Sequence, residues 1–228
     1  MLKVKRKTIS PTDMVTVLIN NRDLVTWPKE MLSCILGYEG LHEVIIIDNA
    51  STYPPLLEWY AENPCRIIRL NENVGHTAPF DPEILAQVPT ELFIVTDPDL
   101  GLLEVPSDVL LVMADYIQRY PVQKIGLSLN YKVVPKESVY YQHVNSHEKN
   151  CWSNPRTYPG LIDAAVDTTF AIYSKNKSTG YTINGCRMDH PYTARHYPWE
   201  VVNPDPEFMY YLEHANSSCT YLNFWKRI

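Results

Sequence analysis

At 228 residues, 45% hydrophobic and 20% charged, the chain has the size and composition of one large globular domain with room for a sizeable core. Its formal net charge of -6, with Lys and Arg scattered, disfavours a nucleic-acid backbone as the main partner. The longest apolar run falls well short of the ~20 residues of a transmembrane helix, and the basic start at Lys3, Lys5, Arg6 and Lys7 is not followed by the apolar core of a secretory signal. A soluble, cytoplasmic chain is expected. Its five cysteines, an odd number without a C-x-x-C pair, are expected to be reduced and mostly buried.

Short β-branched runs alternate with helix-like stretches through the first half, which predicts a parallel sheet covered by helices. Residues 15–19 read as a buried strand. Thr26 is placed to cap a helix with Pro28 in its first turn and Met31, Leu32, Ile35 and Leu36 on its apolar face. A second strand over 44–47 ends in Asp48-Asn49-Ala50-Ser51-Thr52, and a helix over 56–61 leads to a third strand over 66–70, which ends at Asn73-Val74-Gly75. After a short helix over 83–87, the fourth strand, 92–96, runs into Asp97-Pro98-Asp99. Ser107 is read as the cap of a helix through Arg119, and 124–129 as a fifth strand. The polar stretch 145–159 predicts a loop or lid, 164–173 another buried strand, and 204–214 a terminal helix.

Each early strand thus ends in polar residues, and in an open α/β sheet ligands bind in the crevice at the strands' carboxyl ends. Asp97 and Asp99, one residue apart after an apolar strand, are hard oxygen ligands suited to Mg²⁺ or Mn²⁺, the ions that escort a diphosphate leaving group. The same tripeptide also fits a turn capping the sheet, or the opening of a haloacid-dehalogenase-like phosphatase in which the first Asp is the nucleophile. A Thr or Val two places beyond the second Asp would support that phosphatase; Gly101 stands there. Asp48 can accept a base N–H such as uracil N3–H, and Asn73 with Gly75 offers an amide beside a close backbone approach. The run from Asp189 to Trp199 gathers two His, an Arg and aromatics, so it suits diphosphate contact, a further metal ligand at His196, and acceptor or sugar contact through Asp189 and Trp199. A nucleotidyltransferase would show a Gly-rich loop after the first strand, whereas residues 20–24 contain no glycine. A non-catalytic sugar-binding module is the remaining alternative.

Taken together, Val17-Leu18-Ile19-Asn20-Asn21-Arg22, Ile47-Asp48-Asn49-Ala50-Ser51-Thr52, Asn71-Glu72-Asn73-Val74-Gly75 and Asp97-Pro98-Asp99 resemble, in order and spacing, the motifs of glycosyltransferase family 2. The resemblance implies the GT-A fold, a Rossmann-like α/β domain whose central mixed, mostly parallel sheet is flanked by helices. Residues 1–130 would be its nucleotide-sugar half and 131–228 its acceptor-side half. It further implies that Asn20 and Asp48 contact the nucleoside, Asp97 the ribose or metal, and Asp99 the metal. A UDP-sugar donor, a glycan or glycoconjugate acceptor and inversion at the anomeric carbon follow from the same likeness. The usual Glu-Asp and Gln-x-x-Arg-Trp signals are missing, which leaves the general base open. Asp167 is the best substitute: it is set among apolar residues and separate from the metal pair, with Asp163 and Asp189 behind it.

Overall fold

A computed structural model describes residues 14–62, 64–177, 180–216, 219 and 221–225. The basic stretch of Lys3, Lys5, Arg6 and Lys7 lies outside them. In chain order the elements are β1 (Val15–Asn21), α1 (Thr26–Leu36), β2 (His42–Asp48), α2 (Pro54–Ala61), β3 (Arg66–Arg69), a 3-10 segment (Gly75–Phe80), α3 (Pro82–Leu85), β4 (Leu92–Thr96), β5 (Leu100–Gly101) and α4 (Val109–Arg119). Then come β6 (Lys124–Gly126), β7 (Ser128–Leu129), α5 (Tyr141–Ser153), β8 (Leu161–Ile162), β9 (Ala171–Ser174), β10 (Cys186–Met188), β11 (Thr193–His196), α6 (Tyr197–Glu200), α7 (Pro206–His214) and α8 (Leu222–Trp225).

Eight strands form one sheet in the order β3-β2-β1-β4-β9-β6-β10-β8. All run the same way except β9 and β8, which pair antiparallel with their neighbours. This mixed, mostly parallel α/β sheet flanked by helices is the fold class the motifs implied. All seven residues of β1 are buried, as expected of a strand covered on both faces. One face packs on α1, α2 and α4 through residues such as Met31, Ile35, Leu56, Leu110 and Ile117, and the other on Ala78, Ile84 and Leu85. Each such fully buried aliphatic side chain contributes about 1.5–3 kcal/mol.

Neither sequence-assigned cap works as read. Thr26 is already helical; the start of α1 is held instead by Glu207 of α7, whose carboxylate accepts from the Val25 and Thr26 amides and the Thr26 hydroxyl at 2.7, 2.9 and 2.7 Å. A carboxylate there also complements the positive end of the helix. Ser107 bonds Glu39 rather than capping α4. The expected lid over 145–159 is largely the helix α5, which buries only Val144 and Glu148; an apolar stripe that narrow leaves almost no periodicity to read. The strand expected over 164–173 shortens to β9, because residues 163–170 form an irregular loop ending at Phe170 with φ +45°. The five cysteines are free, and only Cys186 is fully buried. Among the described residues no helix is long and apolar enough to cross a membrane.

A second sheet has three strands in the order β5-β11-β7. Its strand β11 returns from late in the chain to pair antiparallel with β5, His196 opposite Leu100. Gly101 permits this approach, since a Cβ there would lie 2.7 Å from the Tyr197 ring. The consequence is that His196 is delivered to the end of β4.

Candidate functional site

The carboxyl ends of β1, β2 and β4 open into a cavity of about 290 Å³. Asparagine side chains stitch its floor together. Asn20 and Asn49 each donate from Nδ2 to the Gly75 carbonyl, at 3.2 and 2.8 Å, and the Val74 amide donates to Asn49 Oδ1 at 2.8 Å. Asn73 Oδ1 accepts from the Gly75 amide at 3.0 Å, and Gly75 itself has φ +78°, a conformation only glycine adopts freely. Arg22 brings a cation to the wall, its Nη1 donating to the Asn49 and Ala50 carbonyls at 2.7 and 2.8 Å.

Three carboxylates face this space: Asp97, Asp99 and Asp167. Asp97 keeps some accessible surface through the cavity but is otherwise enclosed. Burial first, then the neighbouring Asp99 charge, push its carboxyl well above the usual range, only partly countered by the Thr168 hydroxyl that donates to it. Asp99 is almost wholly buried. Its Oδ2 accepts from the Tyr221 hydroxyl at 2.7 Å, while Oδ1 is buried with no hydrogen-bond partner among the described residues and lies 4.0 Å from His196 Nε2. Burial lowers the His196 pKa, so the imidazole is neutral near pH 7 and keeps a lone pair available to a cation. An orphaned carboxylate oxygen, a neutral imidazole and a second carboxylate without a cation among the described residues offer O, O and N donors of the types that suit Mn²⁺ or Mg²⁺.

Asp167 departs from its expected burial. Val166 turns into the core while Asp167 turns outward and is exposed, because the loop rather than a strand carries it. Its Oδ1 accepts from the Tyr181 hydroxyl at 2.8 Å, and burial pushes that phenol up to about 12, so it stays a donor. Behind the loop, Lys124 Nζ donates to the Asp167 carbonyl at 3.1 Å and to the Tyr173 hydroxyl at 3.2 Å. Burial pulls this lysine down to about 8.

The structure therefore brings Asn20, Asn73, Gly75, Asp97, Asp99 and Asp167 to one cavity, with His196 against Asp99. Asp48 sits beneath it, fully enclosed: Oδ2 pairs with Arg69 Nε at 3.0 Å and Oδ1 accepts from the Ser51 amide at 3.2 Å. Trp199 lies behind the site, stacked on His196 with centroids 4.3 Å apart. Asp189 is outside the cavity lining; its carboxylate is held by Arg156 at 2.5 Å, which lowers its pKa. Sequence reasoning missed Thr168, Tyr181, Tyr211 and Tyr221 as wall residues, since none lies in a strand-end motif. The tyrosine-rich end of the chain was a compositional signal without an address.

No protein-family model and no curated protein matches the sequence. Among solved structures, the mannosyltransferase PcManGT from Pyrobaculum calidifontis, in complex with GDP-Man and Mn²⁺, is 14% identical, covering 87% of this chain and 59% of its own with a TM-score of 0.54. S. aureus TarS 1-349 is 15% identical over 70% of this chain and 46% of its own, with a TM-score of 0.46. The chain thus spans about half the length of these structures. At such identity the mannosyltransferase likeness speaks for the fold alone, which is GT-A-like.

Proposed function

We propose that the protein is a metal-dependent, inverting glycosyltransferase that moves a sugar from a UDP-sugar to a hydroxyl of a glycan or glycoconjugate. One observation carries this reading: three carboxylates share a cavity at the strand ends, and one oxygen of Asp99 is buried there with no partner among the described residues. Asp97, Asp99 and His196 would hold Mn²⁺ or Mg²⁺, which as a Lewis acid would neutralise the departing diphosphate.

The chain's own residues account for the rest. Asn20, Asn73 and the Gly75 backbone cradle the nucleoside, and Asp48 acts at the base end through Arg69, whose side chain is 56% exposed. Asp167, held by Tyr181, receives the acceptor proton as the acceptor oxygen bonds the anomeric carbon and the diphosphate leaves with its electron pair. Exposure suits this role, since the carboxylate must meet an acceptor arriving from solvent. Asp189 and Trp199, away from the cavity, are left out of the reaction.

The test is thermal shift of the full chain with uridine, guanosine and thymidine diphosphates, with and without Mn²⁺. A ligand at 100 times its Kd stabilises the folded state by about 2.7 kcal/mol. A rise in Tm for uridine diphosphate only with Mn²⁺ is expected. A preference for guanosine diphosphate overturns the base assignment, and no metal-dependent rise with any of them overturns the function.

A further inference from the structure

Helix α5 carries a second constellation of ligand-type side chains, separate from the cavity. Positions four apart share a helix face, and His147 and Cys151 do so with Nε2 and Sγ 3.7 Å apart. The adjacent Glu148 turns inward. It is 1% exposed, gives one oxygen to Arg187 at 2.6 Å, and leaves Oε1 3.8 Å from the same His147 nitrogen. The imidazole nitrogen, the sulfur and the carboxylate oxygen all lie within 4.8 Å of one another.

We propose that His147, Glu148 and Cys151 bind a zinc ion in a site distinct from the Asp97–Asp99 centre. Around tetrahedral zinc, bond lengths of about 2.0–2.3 Å to N, O and S put ligand atoms roughly 3.3–3.6 Å apart. The observed 3.7 and 3.8 Å from His147 need only small side-chain shifts to reach that, and Cys151 and Glu148, within 4.8 Å of each other, close together around the ion. A thiolate and an imidazole select zinc over the harder Mn²⁺ and Mg²⁺. Arg187 fixes the carboxylate as a neighbour of a metal ligand should, and its Nε donates to the Ala165 carbonyl at 2.7 Å. The side chain of His147 is 59% exposed, so an ion reaches the site from solvent and water completes its coordination. On binding, the Cys151 thiol proton leaves to solvent and sulfur donates to the metal. The ion then ties α5, through Glu148 and Arg187, to the loop that carries Asp167.

The experiment is titration of the full, chelator-treated chain with Co²⁺, a spectroscopic substitute for Zn²⁺. One equivalent is expected to give thiolate-to-cobalt charge-transfer absorption that Zn²⁺ abolishes by displacement. Cys151→Ser should lose the band, and His147→Ala should weaken binding at least about tenfold. Because His147 is mostly exposed, that variant keeps its fold even if Cys151→Ser does not. Asp99→Ala should retain the band, which separates this site from the other metal centre. Absence of a thiolate band in the wild type overturns the proposal, and so does a band that both α5 variants leave unchanged.

Discussion

Two acidic strand ends flank β1 in this sheet, and they are solved in opposite ways. At the end of β2, Asp48 is fully enclosed yet balanced, with Arg69 on one oxygen and the Ser51 amide on the other. At the end of β4, Asp97 and Asp99 have two tyrosine- or threonine-type hydroxyls, one neutral imidazole and each other. A buried charge persists only when paired or ligating a metal. The first end is therefore complete as it stands, while the second leaves one Asp99 oxygen without a partner among the described residues, the place the proposed cation would take.

Removing the orphaned ligand tests the contrast most severely. Asp99→Ala should abolish the Mn²⁺-dependent gain in stability with uridine diphosphate, all of the roughly 2.7 kcal/mol expected at 100 times Kd. A variant that keeps this gain shows that the β4 end needs no cation. Next in size is Asp167→Asn. It should slow sugar transfer by ~10²–10⁴-fold while donor and metal affinity stay near wild type, which single-turnover rates and the thermal shift read separately. Unchanged turnover would remove Asp167 as base, and lost donor binding would reassign it to the donor side.

At the balanced end the expected effects are on folding and on the base contact proposed for Arg69, not on the metal. Arg69→Ala leaves Asp48 without its ionic partner and should lower stability by roughly 1–3 kcal/mol in urea denaturation. Mn²⁺ affinity should not change; if it falls with stability, the two strand ends are one site. The smallest effect concerns Lys124 behind the Asp167 loop. Its folded pKa of about 8 lies below the unfolded value of about 10.4, so the buried charge costs stability in full below pH 8. That cost is relieved as pH rises toward 10.4. Wild-type Tm should therefore gain on Lys124→Met between pH 8 and 10, and parallel curves would show that the ammonium is not desolvated.

How much was legible follows from where the information sits along the chain. Residues 15–19, 44–47 and 92–96 announce strands because both faces of each are covered, and unbroken β-branched runs are what such strands require. Asp97-Pro98-Asp99 and Asn73-Val74-Gly75 follow those strands directly, so their place at the sheet edge came with the local pattern. Asp167, expected from sequence to be a buried general base, lines the cavity but is exposed, since inward Val166 and outward Asp167 alternate in a loop that no periodicity describes.

Tertiary structure decided the rest. His196 reaches Asp99 only because β11 pairs with β5 across 95 residues of intervening chain (residues 101 to 195), a contact set by sheet topology rather than by neighbours in sequence. Tyr221 and Tyr181 meet their carboxylates in the same way, and Glu207 caps a helix far upstream. The strands and their polar ends were determined by the sequence because backbone hydrogen bonding and burial act on local patterns. The charge balance of the site was not, because it depends on which distant groups the fold sets within a few ångströms.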